Sequence, residues 1–88
     1  MSSSPEFRVQ VRLSRVLAER VGQPFIVVTL PERTASVAQF RMQVARQYPV
    51  LQPWMASVLV VADGRVLGSS EALSAEQQLA LLSPQAGG

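Results

Sequence analysis

The stretch Phe7-Arg8-Val9-Gln10-Val11-Arg12-Leu13 alternates apolar and polar side chains without a break. Successive strand residues point to opposite faces, so Phe7, Val9, Val11 and Leu13 share one side and Arg8, Gln10 and Arg12 the other. This is a half-buried strand, and its apolar side needs a covering layer. The next strand-forming run is Phe25-Ile26-Val27-Val28-Thr29-Leu30, opened by Pro24 and closed by Pro31. Between the two, Ser14 is placed to N-cap a short helical turn over Arg15 to Val21. Gly22 follows where a left-handed residue costs least. The spacing predicts an antiparallel pair with an elaborated loop.

The covering layer is legible further on. Ser36-Val37-Ala38-Gln39 matches a capping box, with Ala35 and Phe40 at the two hydrophobic-staple positions. Val37, Phe40, Val44 and Tyr48 then fall on one stripe of a helix about three turns long. Pro49 ends it by excluding its predecessor from helical geometry. Phe40 and Tyr48 are read as core and rim of that stripe, and Trp54, after the bend at Pro49 and Pro53, as a cap on one end of the core.

The rest of the chain is strand again. Val58-Leu59-Val60-Val61-Ala62 is a continuous apolar run, which predicts a central strand covered on both faces. Asp63-Gly64 is a type I′ hairpin signal returning into Arg65-Val66-Leu67. Residues 68–78 read as polar and irregular, with Ser70 or Ser74 able to cap a brief turn. Leu79-Ala80-Leu81-Leu82 is the last strand.

One main helix with four to five strands predicts an α+β domain, the helix packed on one face of a mixed sheet. The first and last strands can pair in parallel at the centre, which is β-grasp topology; an open two-layer sandwich is the alternative. The predicted organisation is a flexible segment over residues 1–5, the β-grasp domain over 6–82 and a flexible tail over 83–88.

Composition then narrows the chemistry. Among 88 residues there is no Cys, no His and no Lys; the eight basic residues are all Arg, against six Asp plus Glu. Disulfides, thiolate metal sites, imidazole bases and Schiff-base lysines are therefore excluded. The pI near 10.5 reflects this missing middle range of titrating groups, since the net charge is only +2. The arginines are spread along the chain, not clustered beside exposed aromatics, which argues against a nucleic-acid binder. No apolar run is long enough to span a bilayer, and no signal peptide is visible, so a cytoplasmic protein is expected. Glu71 and Glu76 read as solvated loop charges and not as an acid/base pair.

The tail Ser83-Pro84-Gln85-Ala86-Gly87-Gly88 carries the most specific signal. At ordinary glycine usage a terminal Gly-Gly arises by chance in roughly 0.5% of chains, and here it directly follows a strand of a β-grasp pattern. Arg15-Val16-Leu17-Ala18-Glu19-Arg20-Val21-Gly22, Ser36-Val37-Ala38-Gln39, Arg46-Gln47-Tyr48-Pro49 and Leu81 to Gly88 together resemble the ubiquitin-like sulfur carriers, most closely the small subunit of molybdopterin synthase (the MoaD family). That family's tail has two bulky apolar residues, two prolines, two variable residues and Gly-Gly. Leu81 and Leu82 fill the bulky pair and Pro84 the second proline, while Ser83 replaces the first. Ser14 stands where the family often has a bulky residue, Asp63 where it has asparagine. The acidic turn before the last strand is represented only by Ala75-Glu76-Gln77-Gln78.

The resemblance implies a non-catalytic carrier subunit of a sulfurtransferase complex, whose reactive group is the carboxylate of Gly88. An ATP-using, ubiquitin-activating-like adenylating enzyme (MoeB-like) would activate Gly88. A large synthase subunit (MoaE-like) would receive the resulting thiocarboxylate and build the dithiolene of molybdopterin. Pro84, Gly87 and Gly88 would thread into the partner, and Leu82 and Val66 would dock against it. The chain itself would bind no cofactor and no metal. Glycine suits the final positions because it lacks Cβ; Pro84 stiffens the arm, and six extended residues reach about 20 Å. A carrier for thiamine thiazole or another sulfur-transfer route, and a non-conjugating β-grasp interaction module, are the competing readings.

Overall fold

The alternating stretch forms strand β1 (Phe7–Leu13), and the last apolar run, which becomes β7 once the intervening elements are counted, spans Leu79–Leu82. They pair in parallel, with Val11 opposite Leu79 and Leu13 opposite Leu81. Between them, in the computed structural model, the chain makes α1 (Arg15–Val21), β2 (Phe25–Leu30), β3 (Thr34–Ser36), α2 (Val37–Gln47), a 3-10 helix (Pro49–Trp54), β4 (Leu59–Ala62), β5 (Arg65–Leu67) and β6 (Ala72–Ser74). The structure describes residues 6–83, so the N-terminal segment and Pro84, Gly87 and Gly88 lie outside the described residues.

The main sheet is mixed and five-stranded, in the order β2-β1-β7-β4-β5. β2 is antiparallel to β1, and β4 is antiparallel to both β7 and β5. This is the β-grasp arrangement, with helix α2 across one face. The capping box is formed: Gln39 N–H donates to the Ser36 hydroxyl at 3.1 Å, and Ser36 N–H donates to the Gln39 side chain at 3.0 Å. The helix stripe then buries Val37, Phe40 and Val44 completely against Val9, Val11, Ile26, Val28, Val60, Leu79 and Leu81. No polar or charged residue is buried among the described residues. The core is therefore held by apolar area alone.

The rim of α2 does separate work on the sheet edge. β2 is an edge strand, and its groups facing away from β1 would invite a further strand. The Tyr48 hydroxyl donates to the Val27 carbonyl and accepts from Val27 N–H. The Gln47 amide does the same at Thr29, both bonds being 2.9 Å. Tyr48 is thus a rim residue, and its polar tip closes the edge.

Four expectations change. Ser14 is the N-cap residue of α1 by position, but its side chain makes no capping bond; the hydroxyl is used elsewhere, as described below. Residues 58–62 are covered on one face only, because the helices all lie on one side of the sheet: Val58, Val60 and Ala62 are buried while Leu59 is exposed. The supposedly irregular stretch 68–78 contains β6, paired with β3 through Ala35 and Leu73, both buried. The bend at Pro49 is a 3-10 helix whose Trp54 is half-buried against the core. Arg20 stacks on the Trp54 ring, 5.6 Å from its centroid. Asp63 (φ 51°) and Gly64 (φ 82°) both take the positive angles that a type I′ turn requires.

Phe40 is the largest fully buried side chain and has no polar partner to lose. Phe40→Ala should cost about 3–5 kcal/mol through lost transfer energy and a residual cavity. Urea denaturation of the variant against the parent checks this.

Candidate functional site

The face of the sheet away from α2 has no covering layer. Strand alternation decides what it displays. On β7, Leu79 and Leu81 point into the core, whereas Ala80 and Leu82 point out; Leu81 is fully buried and Leu82 is 37% exposed. The two adjacent leucines thus divide between core and surface as the period of two demands.

Cross-strand register builds a continuous surface around Leu82. Leu82 faces Leu59 on β4, and Ala80 faces Val61. Val61 faces Val66 on β5, and Val66 is half exposed. On the other side Ala80 faces Arg12 on β1, which in turn faces Phe25 on β2. One row, Phe25-Arg12-Ala80-Val61-Val66, therefore crosses all five strands, with Leu82 and Leu59 beside it. A shallow depression on this face is lined by Gln10, Arg12, Phe25, Val61 and Ala80, together with Gln77 and Gln78 from the approach to β7.

Leu82 and Val66, read from the sequence as docking residues, thus lie on one face and are joined through Leu59 and Val61. Leu59 and Phe25 are additions. Leu59 escaped notice because the run 58–62 shows no alternation, so nothing in its pattern separates inward from outward residues. Phe25 was legible as the outward member of β2 only once the helix-facing side was known.

Arg12, second in this row, is its charged residue, and none of the ion pairs among the described residues involves it. Those pairs are Arg15–Glu19, Arg33–Glu76 and Arg65–Glu71. Glu76 and Glu71 are surface charges with local partners, not a facing pair. Glu76 also accepts from the Ser74 hydroxyl at 2.8 Å. No cluster of His, Cys, Asp or Glu among the described residues could hold a metal, and no described helix is long and apolar enough to cross a membrane.

At the base of the tail, Ser83 is the last described residue. Its N–H donates to the Ser14 hydroxyl at 3.2 Å. The chain beyond it, with the sequence-predicted reactive group at Gly88 and the threading residues Pro84 and Gly87, continues outside the described residues.

No protein-family model and no curated protein matches the sequence. Solved structures do match in shape. SAMP1 from Haloferax volcanii superposes with a TM-score of 0.75 at 24% identity, over 92% of this chain and 99% of that one. A protein from Pyrococcus furiosus provisionally named molybdopterin converting factor, subunit 1, gives 0.72 at 17% identity, over 89% and 98%. Small archaeal modifier protein 1 (SAMP1) from Methanosarcina acetivorans gives 0.71 at 19% identity, over 96% and 99%. At such identities the likeness establishes the fold: a β-grasp domain spanning nearly the full length of each of these chains.

The turn that supports Val66 is set by Glu71. Gly68 N–H donates to its carboxylate at 2.9 Å, and Arg65 lies 3.2 Å from the other oxygen. The Gly68 bond is the main reason its carboxyl sits below the ordinary value of 4.5; slight desolvation opposes this, and the Arg65 charge adds to the lowering. A folded-state value below the unfolded one stabilises the fold above pH 4.5 and loses that contribution as pH falls through the lowered value. Glu71→Gln should therefore be less stable than the parent at neutral pH, with the gap closing in acid. Thermal midpoints across pH 2.5 to 7 check it (a range chosen to span the ordinary carboxylate value of about 4).

Proposed function

We propose that the chain is a ubiquitin-like sulfur carrier that serves as the small subunit of a molybdopterin synthase. One observation carries this reading: in the sequence Gly87-Gly88 follow within six residues of the point where the central strand β7 leaves the sheet, beside an uncovered apolar face. The β-grasp likeness to the Pyrococcus furiosus converting-factor protein agrees with it.

The chemistry needs little from the folded domain. A carboxylate resists nucleophiles because its charge repels them and oxide is a poor leaving group. A partner enzyme would transfer AMP from ATP to the Gly88 carboxylate, releasing pyrophosphate. A sulfur donor then attacks the acyl carbon, AMP departs, and a terminal thiocarboxylate remains. Delivered to a large synthase subunit, this sulfur would attack the pterin precursor on the way to the dithiolene. The carrier supplies the acyl group, the arm and the docking face. None of these roles uses an imidazole, thiol or amine, in keeping with a chain that has no His, Cys or Lys.

Leu82, Leu59 and Val66, with Arg12 to one side on β1, form the surface we assign to docking on both partners. Desolvated apolar anchors supply most of the energy at such contacts, and a bound Leu82 holds the root of the arm against the partner. A second reading is favoured by the two modifier proteins among the structural neighbours. In it the adenylated Gly88 acylates an amine on a target protein, forming an amide as AMP leaves and the amine loses a proton.

Incubation with an adenylating enzyme, ATP and a sulfur source separates these readings by intact mass. The carrier gains the mass difference between sulfur and oxygen. The modifier appears as a protein–protein adduct, and a non-conjugating interaction module stays unchanged. Deleting Gly88, or adding Ala after it, should abolish the gain with folding intact. Leu82→Arg should weaken binding to the large subunit at least tenfold, by order of magnitude. Its thermal midpoint should move little, because Leu82 is already 37% exposed.

A further inference from the structure

Ser14 stands where β1 turns into α1, and its three polar groups serve three different elements. Its N–H donates to the Leu81 carbonyl at 3.0 Å, extending the parallel β1–β7 ladder. Its carbonyl accepts from Ala18 N–H at 2.8 Å, opening α1. Its hydroxyl accepts from Ser83 N–H at 3.2 Å and caps nothing in the helix.

Register explains this division. In a parallel ladder, a residue on one strand bonds the two residues flanking its opposite number. Leu81 lies opposite Leu13 and so reaches Ser14. Two residues on, the next rung would run from Ser83 N–H to the Ser14 carbonyl. Helix α1 has already taken that carbonyl. The Ser14 side-chain oxygen replaces it, and the ladder gains one rung beyond the end of β7. The Ser83 amide makes no other bond among the described residues.

We propose that Ser14 is a positioning residue, its hydroxyl latching Ser83 and fixing the direction in which the arm leaves the sheet toward a partner's active site. This role rests on the carrier reading. Holding Ser83 before docking removes the entropy loss of ordering that residue during docking. The device requires a hydroxyl on a short side chain and no charge. Alanine abolishes it, and threonine retains it. Because the hydroxyl makes no bond to α1, Ser14→Ala tests the latch without the usual loss of an N-cap.

Two measurements decide it. Amide hydrogen exchange followed by NMR should show Ser83 protected in the parent and in Ser14→Thr, and exchanging freely in Ser14→Ala at an unchanged thermal midpoint. With the adenylating enzyme, pyrophosphate release should show KM raised about three- to tenfold in Ser14→Ala, kcat unchanged and Ser14→Thr restoring the parent value, since one backbone residue is then ordered on binding and not before. A freely exchanging Ser83 in the parent overturns the latch. A parent-like KM in Ser14→Ala overturns the positioning role. If the parent itself releases no pyrophosphate, the carrier reading fails and the positioning role falls with it, while the exchange measurement still decides the latch.

Discussion

The parallel pairing of β1 with β7 is the constraint from which the rest of the structure follows. Parallel neighbours cannot be joined by a tight turn; the chain between them must cross over a sheet face, and a helix is the economical way to do so. Here the crossover holds α2, whose stripe Val37, Phe40 and Val44 covers the inward residues of both strands. Once β1 and β7 occupy the centre, β2 must flank one and β4 the other. The same pairing brings the end of β7 alongside the end of β1. The last strand therefore finishes beside Ser14, not at an edge of the sheet.

A single covering helix leaves the opposite face bare, and the edges decide how that face is used. An open edge strand would favour association by strand addition. Tyr48 and Gln47 remove that option at β2 by bonding the outward groups of Val27 and Thr29, and the other edge, β5, is only three residues long. The face around Leu82, Leu59 and Val66 remains open. That face is apolar across β7, β4 and β5 and carries the outward polar residues Arg8, Gln10 and Arg12 on β1.

Much of this was legible in the residues, and the failures share a physical cause. Strand β1 and helix α2 came out with their observed bounds because each carries strict periodicity and, for α2, a reciprocal cap that only a helix start can satisfy. The parallel centre followed from element order. What failed was whatever depends on a neighbour distant in sequence. Residues 58–62 carry no alternation, so their one-sided burial could be known only from the absence of a second layer. β3 and β6 are three residues each, too short to show a period, and exist through each other. Ser14 has the residue type of an N-cap and the position of one. Its hydroxyl serves Ser83 instead, 69 residues away, because the ladder lacked an acceptor that only the folded register reveals. The open face was half legible: alternation sent Leu82 outward, but Leu59 needed the register.

Three successive residues at the end of β7 serve three different parts of the structure. Leu81 is fully buried and ties the strand to the core. Leu82 points the other way and belongs to the open face. Ser83 is bonded through its backbone to Ser14. Core, open face and the last described residue are thus separated by single peptide units. On the carrier reading, this spacing couples recognition to delivery. A partner that captures Leu82 has fixed the origin of the arm to within a residue, and the remaining search for the reactive carboxylate is confined to the few residues that follow. The reach of about 20 Å for an extended six-residue arm then becomes a directed reach from a known point, and the specificity of the reaction passes from the side-chain inventory of the domain to the register of its central strands.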